Sequence, residues 1–209
     1  MSARARLLLA AAAVCAAFAG FWLARQLDRE APQLASGTWL PQAKAVADFR
    51  LLDATGQPFT RQDLIGRPAL VFFGFTHCPD VCPTTLLKLA RISRAAAVPD
   101  LRVLFVSIDP QRDTPPVLGM YVHAFDAAFE GLTGDAATIA RLAANFSIAV
   151  NRVELPGGDY TMDHSAVVFL LDRQAHMVAI FTPPFEVAPI IADLKRAAPY
   201  LGRAPKVPT

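Results

Sequence analysis

The chain has 209 residues, 54% of them hydrophobic and 18% charged, with a formal net charge of +2. Once an apolar N-terminal segment is set aside, that length fits one domain of common size. The weak positive charge comes from scattered basic residues, without a stripe or interleaved aromatics, which excludes a nucleic-acid surface.

The first six residues carry Arg4 and Arg6, and an uncharged run follows from Leu7 to Ala24. As a helix that run spans about 27 Å, close to a hydrocarbon core. Basic residues before it keep the start cytoplasmic and send the rest across the membrane. Residues 1–24 therefore read as a membrane anchor, with Trp22 at the far interface, or as a cleaved signal peptide. Ala17-Phe18-Ala19 offers a small-x-small cleavage site, but the apolar run continues through Phe21-Trp22-Leu23 and favours the anchor. Val14 is large for the position before a lipoprotein cysteine, so Cys15 reads as a lipid-facing apolar residue. The expected location is the inner (cytoplasmic) membrane of a bacterial-type cell, single-pass, with the soluble domain on the periplasmic side.

Residues 25–47 mix charge with Pro32, Ser36-Gly37 and Pro41 and read as a spacer. Residues 48–199 read as the folded domain, and 200–209 as a flexible tail. Residues 48–53 and Phe59-Thr60 flank a turn at 54–58, which predicts a hairpin. Asp63 to Gly66 is a short turn. Ala69 to Phe75 is an apolar run suited to a buried strand, and a helical pattern over 84–97 presents Leu86, Leu89, Ala90, Ser93 and Ala97 on one face. Leu101 to Ile108 is a second strand covered on both faces. Thr114 and Pro115 open a helix whose expected apolar face is Val117, Met120, Tyr121, Ala124 and Phe125. Leu132-Thr133 is a short strand, and Asp135 caps a helix facing inward through Ile139, Leu142, Ala143 and Phe146. Residues 148–155 are extended, followed by a loop at Pro156-Gly157-Gly158. Segments 166–171 and 177–181 form an antiparallel pair, and a last helix buries Val187, Ile190, Ile191, Leu194 and Ala198. Strands alternating with helices, closed by a hairpin and a helix, predict an α/β fold: a mixed sheet flanked by helices on both faces.

The folded part holds two cysteines, Cys78 and Cys82, too few for a disulfide scaffold. They fall where the first buried strand turns into a helix, each followed by proline. A helix N-terminus favours the thiolate. On one helical face, thiols at i and i+4 lie roughly 5–6 Å apart at Cβ, so they can share a soft metal or close a disulfide. Two buried apolar cysteines remain the plain alternative.

Three blocks are familiar: Phe73-Gly74-Phe75-Thr76-His77-Cys78-Pro79-Asp80-Val81-Cys82-Pro83-Thr84, then Val106 to Pro115, then Asp159-Tyr160-Thr161-Met162-Asp163-His164-Ser165. From about Phe49 to Ala198 the chain resembles the SCO/SenC family of thioredoxin-fold, membrane-tethered copper proteins. The resemblance implies a role in assembling the copper site of cytochrome c oxidase. It implies copper as Cu(I), and Cu(II) also, held by Cys78, Cys82 and His164. It implies the copper-bearing subunit of the oxidase as partner, with other copper chaperones or thiol reductants upstream. Spacing alone does not select His164. Soft thiolates with an imidazole suit Cu(I), and binding releases thiol protons. An oxidised Cys78–Cys82 pair cannot bind, which couples loading to redox state.

Four further residues are candidates for contacts around these ligands. His77 adjoins Cys78. Asp80 lies between the cysteines and either caps the helix or tunes the thiolates. Asp163 orients His164 or caps a turn. Met162 stands where the family carries an aliphatic residue, as an apolar filler or an extra soft ligand. Asp109, Arg112 and Asp113 read as a structured loop near the site, and His123 and His176 as surface or packing histidines. Two other activities are weighed. A thiol–disulfide oxidoreductase acting on partner cysteines would need both thiols but not His164. A peroxiredoxin-like peroxidase would need one low-pKa thiol.

Overall fold

In the computed structural model, residues 13–20, 22, 31–96 and 98–202 are described. The chain divides into two compact units, residues 1–31 and 32–209. In the first, residues 13–20 are helical, and Val14, Phe18 and Trp22 are exposed. The anchor expected over 1–24 lies mostly outside the described residues. Among the described residues no helix is long and apolar enough to cross a membrane.

The second unit is built on one six-stranded mixed sheet, in the order β1 (Gly37–Ala45), β10 (His176–Phe181), β9 (Val168–Leu171), β4 (Ala69–Gly74), β5 (Arg102–Ser107) and β6 (Glu130–Leu132). Its centre is β4, parallel to β5 and antiparallel to β9. Every residue of these three strands is buried. Both faces are covered, which is why the sequence shows near-continuous apolar runs rather than alternation. Parallel neighbours need crossovers. Helix α1 (Val81–Ala95) connects β4 to β5, and α2 (Pro115–His123) connects β5 to β6 (Glu130–Leu132).

The pleat sorts the core into two layers. Phe72 meets Phe105, whose ring meets Tyr121 of α2, at centroid distances of 6.0 and 5.7 Å. The next residue, Phe73, points the other way, to Phe146 and Phe169 at 5.1 and 6.4 Å. Phe146 terminates α3 (Ala136–Asn145), so α3 covers the second face. Helix α4 (Val187–Ala197) packs on α1. Two hairpins stand apart as separate sheets: β2 (Arg50–Leu52) with β3 (Pro58–Thr60), and β7 (Val150–Glu154) with β8 (Tyr160–His164). In the second, Gly157 and Gly158 take φ of +91° and +85° in the turn, where a side chain would be strained.

The expected strands, α3 and α4 are found where the patterns placed them. Four expectations are corrected. The spacer over 25–47 contains a strand, β1 (Gly37–Ala45), antiparallel to β10 (His176–Phe181). It lies at the sheet edge with most residues exposed, so it lacks the apolar signature of a buried strand. The flexible tail over 200–209 begins later. Tyr200 packs edge-on to Trp39 at 5.9 Å, Leu201 is buried, and its carbonyl accepts from the Arg173 amide; residues 203–209 lie outside those described. In α2, Leu118 and Val122 are buried while Met120 is 71% exposed. A nine-residue helix that is apolar nearly all round does not fix its own inward face. The helical face of α1 holds at Leu86, Leu89 and Ala90, but the helix begins at Val81; Ala97 lies outside the described residues.

Candidate metal centre

That start of α1 repositions the cysteines. Cys78 lies in the loop before the helix, and Cys82 in its first turn. The pair is therefore not two residues of one helical face. Instead the Cys78 Sγ accepts a hydrogen bond from the Cys82 amide at 3.4 Å, taking one of the helix's free N–H groups. Both are free thiols, Cys78 half-buried and Cys82 fully buried.

The loop is fixed from below by a buried carboxylate. Asp113, fully buried, accepts from the Thr76 amide at 3.1 Å and the Thr76 hydroxyl at 2.6 Å. It also accepts from the Ser107 hydroxyl at 2.6 Å. The end of β5 and the loop after it thus set the height of the cysteine loop above the sheet. Asp113 was legible only as a loop residue, because its role depends on lying under Thr76.

Gly74 makes room for Cys82. A Cβ on Gly74 would lie 2.7 Å from the Phe105 ring and 2.8 Å from the Cys82 Sγ. We expect Gly74→Ala to cost about 1–3 kcal/mol through overpacking, and to displace the Cys82 thiol. Urea unfolding checks the first effect. Unchanged stability would mean that the contact relaxes without strain.

His164 ends β8 and comes from the far side of the chain. Its Nε2 lies 3.9 Å from the Cys82 Sγ, across 82 residues of sequence. Its Nδ1 lies 3.1 Å from the Ser165 carbonyl. A carbonyl only accepts, so Nδ1 carries the proton and Nε2 offers its lone pair toward the sulfur. Phe72 and Phe75 stand against the ring at 6.3 and 6.2 Å. Burial lowers the His164 pKa, against the opposing pull of the Ser165 carbonyl and the Asp163 charge, which favours the neutral ring a metal needs. Burial pushes the Cys82 thiol strongly up; the Phe75 backbone opposes this, and the charges of Cys78 and Asp113 add to it. In the metal-free chain Cys82 is a thiol that yields its proton only to a strong partner.

The neighbouring candidates divide. His77 is exposed, its Nδ1 3.1 Å from the Thr76 hydroxyl. Asp80 occupies the N-cap position without capping the backbone; it accepts from the Thr84 hydroxyl at 3.2 Å. Asp163 is exposed, one residue out of phase with His164 on the strand, and the Ser165 carbonyl orients the ring in its place. Met162 shares the His164 face of β8 and packs partly buried against the core. His123 is exposed, and His176 lies 3.3 Å from Asp172. Among the described residues, no three His, Cys, Asp or Glu side chains converge closely enough to hold a metal as they stand. Cys82 and His164 already face each other, while Cys78 is turned to the helix amide. Two thiols and an unprotonated imidazole nitrogen, walled by aromatic rings, are a donor set for a soft monovalent ion rather than for calcium or magnesium.

The model of the SCO1/SenC family matches residues 38–199. The mitochondrial SCO2 homolog of Danio rerio is 39% identical over 142 residues, which are 64% of this chain and 51% of that protein. The chain thus spans about half the length of that relative. The structure of Bradyrhizobium japonicum ScoI with copper bound superposes with a TM-score of 0.67 at 40% identity, covering 73% of this chain and 98% of the other. Arabidopsis thaliana ScoI with copper bound gives a TM-score of 0.70 at 32% identity, covering 75% and 100%. With its thioredoxin-like mixed sheet and matching sequence, the chain belongs to the SCO1/SenC family.

Proposed function

We propose that this protein binds copper through Cys78, Cys82 and His164 and serves assembly of the copper site of cytochrome c oxidase, tethered by its apolar N-terminal run with residues 32–202 outside the cytoplasm. The observation that carries the reading is the approach of His164 Nε2 to the Cys82 Sγ. Solved relatives with copper bound support the choice of metal. Copper is cargo here rather than a resident catalyst. Entry of Cu(I) displaces the thiol protons of Cys78 and Cys82, and the imidazole adds without proton loss. Loading therefore weakens as the pH falls. The high thiol pKa of Cys82 acts in the same direction, since the metal must compete with a tightly held proton.

A second reading is favoured by the unequal burial of the thiols. The half-buried Cys78 can attack a partner disulfide, and the buried Cys82 can resolve the mixed disulfide. The pair would be oxidised as the partner's cysteines are reduced, preparing them for copper.

Anaerobic Cu(I) titration of the reduced full chain separates the two. We expect stoichiometric binding in the parent, lost in Cys78→Ala and Cys82→Ala and weakened at least about tenfold in His164→Ala. A parent that cannot hold copper against a chelator, with disulfide reduction intact in His164→Ala, would replace the copper reading with the second one.

A further inference from the structure

We propose that Arg112 is a positioning residue for the metal centre: it clamps the β7–β8 hairpin so that His164 stays turned toward Cys82. This rests on the reading of Cys78, Cys82 and His164 as copper ligands.

His164 ends a two-stranded sheet that pairs with no strand of the main sheet. A lone hairpin is marginally stable in water. Core burial does not hold its outer part, because residues 151–159 are all exposed. What holds it is the loop after β5. The Arg112 guanidinium stacks on the Tyr160 ring at 3.8 Å, and its Nη1 donates to the Tyr160 carbonyl at 3.0 Å. Its Nε donates to Asp109, whose other oxygen accepts from the Tyr160 hydroxyl at 2.8 Å. One buried carboxylate thus binds the arginine and the tyrosine together.

The opposite strand is engaged as well. Arg152 of β7 stacks on Tyr160 at 3.6 Å, and its Nη1 donates to the Gln111 side chain at 3.1 Å. The tyrosine ring is therefore contacted by two guanidinium groups, one from the loop and one from the hairpin. Cation–π contact of this kind strengthens when the groups are shielded from water, and the Arg112 side chain is 17% exposed. The same guanidinium also lies 6.0 Å from the Phe75 ring, which stands edge-on to His164. Arg112 touches both the strand that delivers the histidine and the ring that walls it. The planar fork and the stacking surface are specific to arginine.

The test uses the full reduced chain with Arg112→Leu, and with Tyr160→Leu as a second variant that removes the clamp from the other side. The 3.9 Å separation of His164 Nε2 and Cys82 Sγ leads us to expect a nuclear Overhauser contact between the His164 ring and the Cys82 β-protons in the metal-free parent, weakened or lost in both variants while the core amide spectrum is kept. By chelator competition, Cu(I) affinity falls about tenfold to hundredfold. In a His164→Ala background, Arg112→Leu changes affinity less than about twofold, because the residue through which it acts is gone. A parental Overhauser contact and affinity in Arg112→Leu would overturn the proposal. So would an equal loss with and without His164. If the parent itself binds no copper, the ligand reading falls, and the Overhauser contact alone decides the clamp.

Discussion

Replacing Asp193 by alanine is expected to remove about 3–5 kcal/mol of folding stability, measured by denaturant unfolding. Asp193 is fully buried in α4 and accepts five hydrogen bonds. Four come from the start of β1 and the residues before it: the amides of Ala35, Ser36 and Gly37 and the Ser36 hydroxyl, at 2.7–3.0 Å. The fifth comes from Arg196 at 2.9 Å. Alanine leaves three backbone N–H groups without their acceptor, so this end of β1 should fray. Burial alone would raise the carboxyl pKa, but the bonds from Ala35, Ser36 and Gly37 outweigh it and hold the group below the ordinary carboxylate range. A depressed carboxyl stabilises above its unfolded pKa, about 3.9, and that stability is lost as the pH falls through the folded value. The parent should therefore lose this contribution only in acid, and Asp193→Ala should show a flatter profile there. An unchanged unfolding midpoint in the variant would show that the anchor contributes nothing.

That anchor also explains what the sequence does not reveal. β1 sits at an edge, with Trp39 and Leu40 half-buried and its neighbours mixed. Its partner, β10, and its anchor, Asp193, both lie more than a hundred residues away. No local period marks such a strand, so it reads as spacer. The central strands are legible for the opposite reason. Burial on both faces writes an apolar run into β4 and β9 and a near-continuous one into β5, between Arg102 and Ser107, and a single inward face writes the helical period into α3 and α4. At the site, the spacing of Cys78 and Cys82 beside a strand end is visible locally. The pairing of Cys82 with His164 is not, because it depends on where an isolated hairpin is held. Only the resemblance of the Asp159 to Ser165 block points to it. The Arg112–Tyr160–Asp109 contacts are hidden likewise: each residue reads as ordinary loop polarity until the chain folds.

The cysteine loop should be the part most sensitive to its hidden support. Asp113→Ala is expected to cost about 3 kcal/mol, since it strips the acceptor from the Thr76 amide, the Thr76 hydroxyl and the Ser107 hydroxyl around a fully buried carboxylate. Asp113→Asn keeps the volume and the oxygen that accepts from the Thr76 amide and the Ser107 hydroxyl, and the Thr76 hydroxyl on the other side can turn to receive its N–H; its cost should be smaller. The readout that separates loop loosening from general weakening is thiol access. Cys82 is buried in the parent, so its reaction with a thiol reagent reports opening of this region. Each 1.4 kcal/mol taken from the local closed state raises the open population about tenfold. Modification of Cys82 should therefore accelerate at least about tenfold in Asp113→Ala and less in Asp113→Asn, well below the unfolding transition of either. Equal reactivity in all three proteins would show that Asp113 supports the sheet alone and leaves the loop, with the thiol that faces His164, to be held by other contacts.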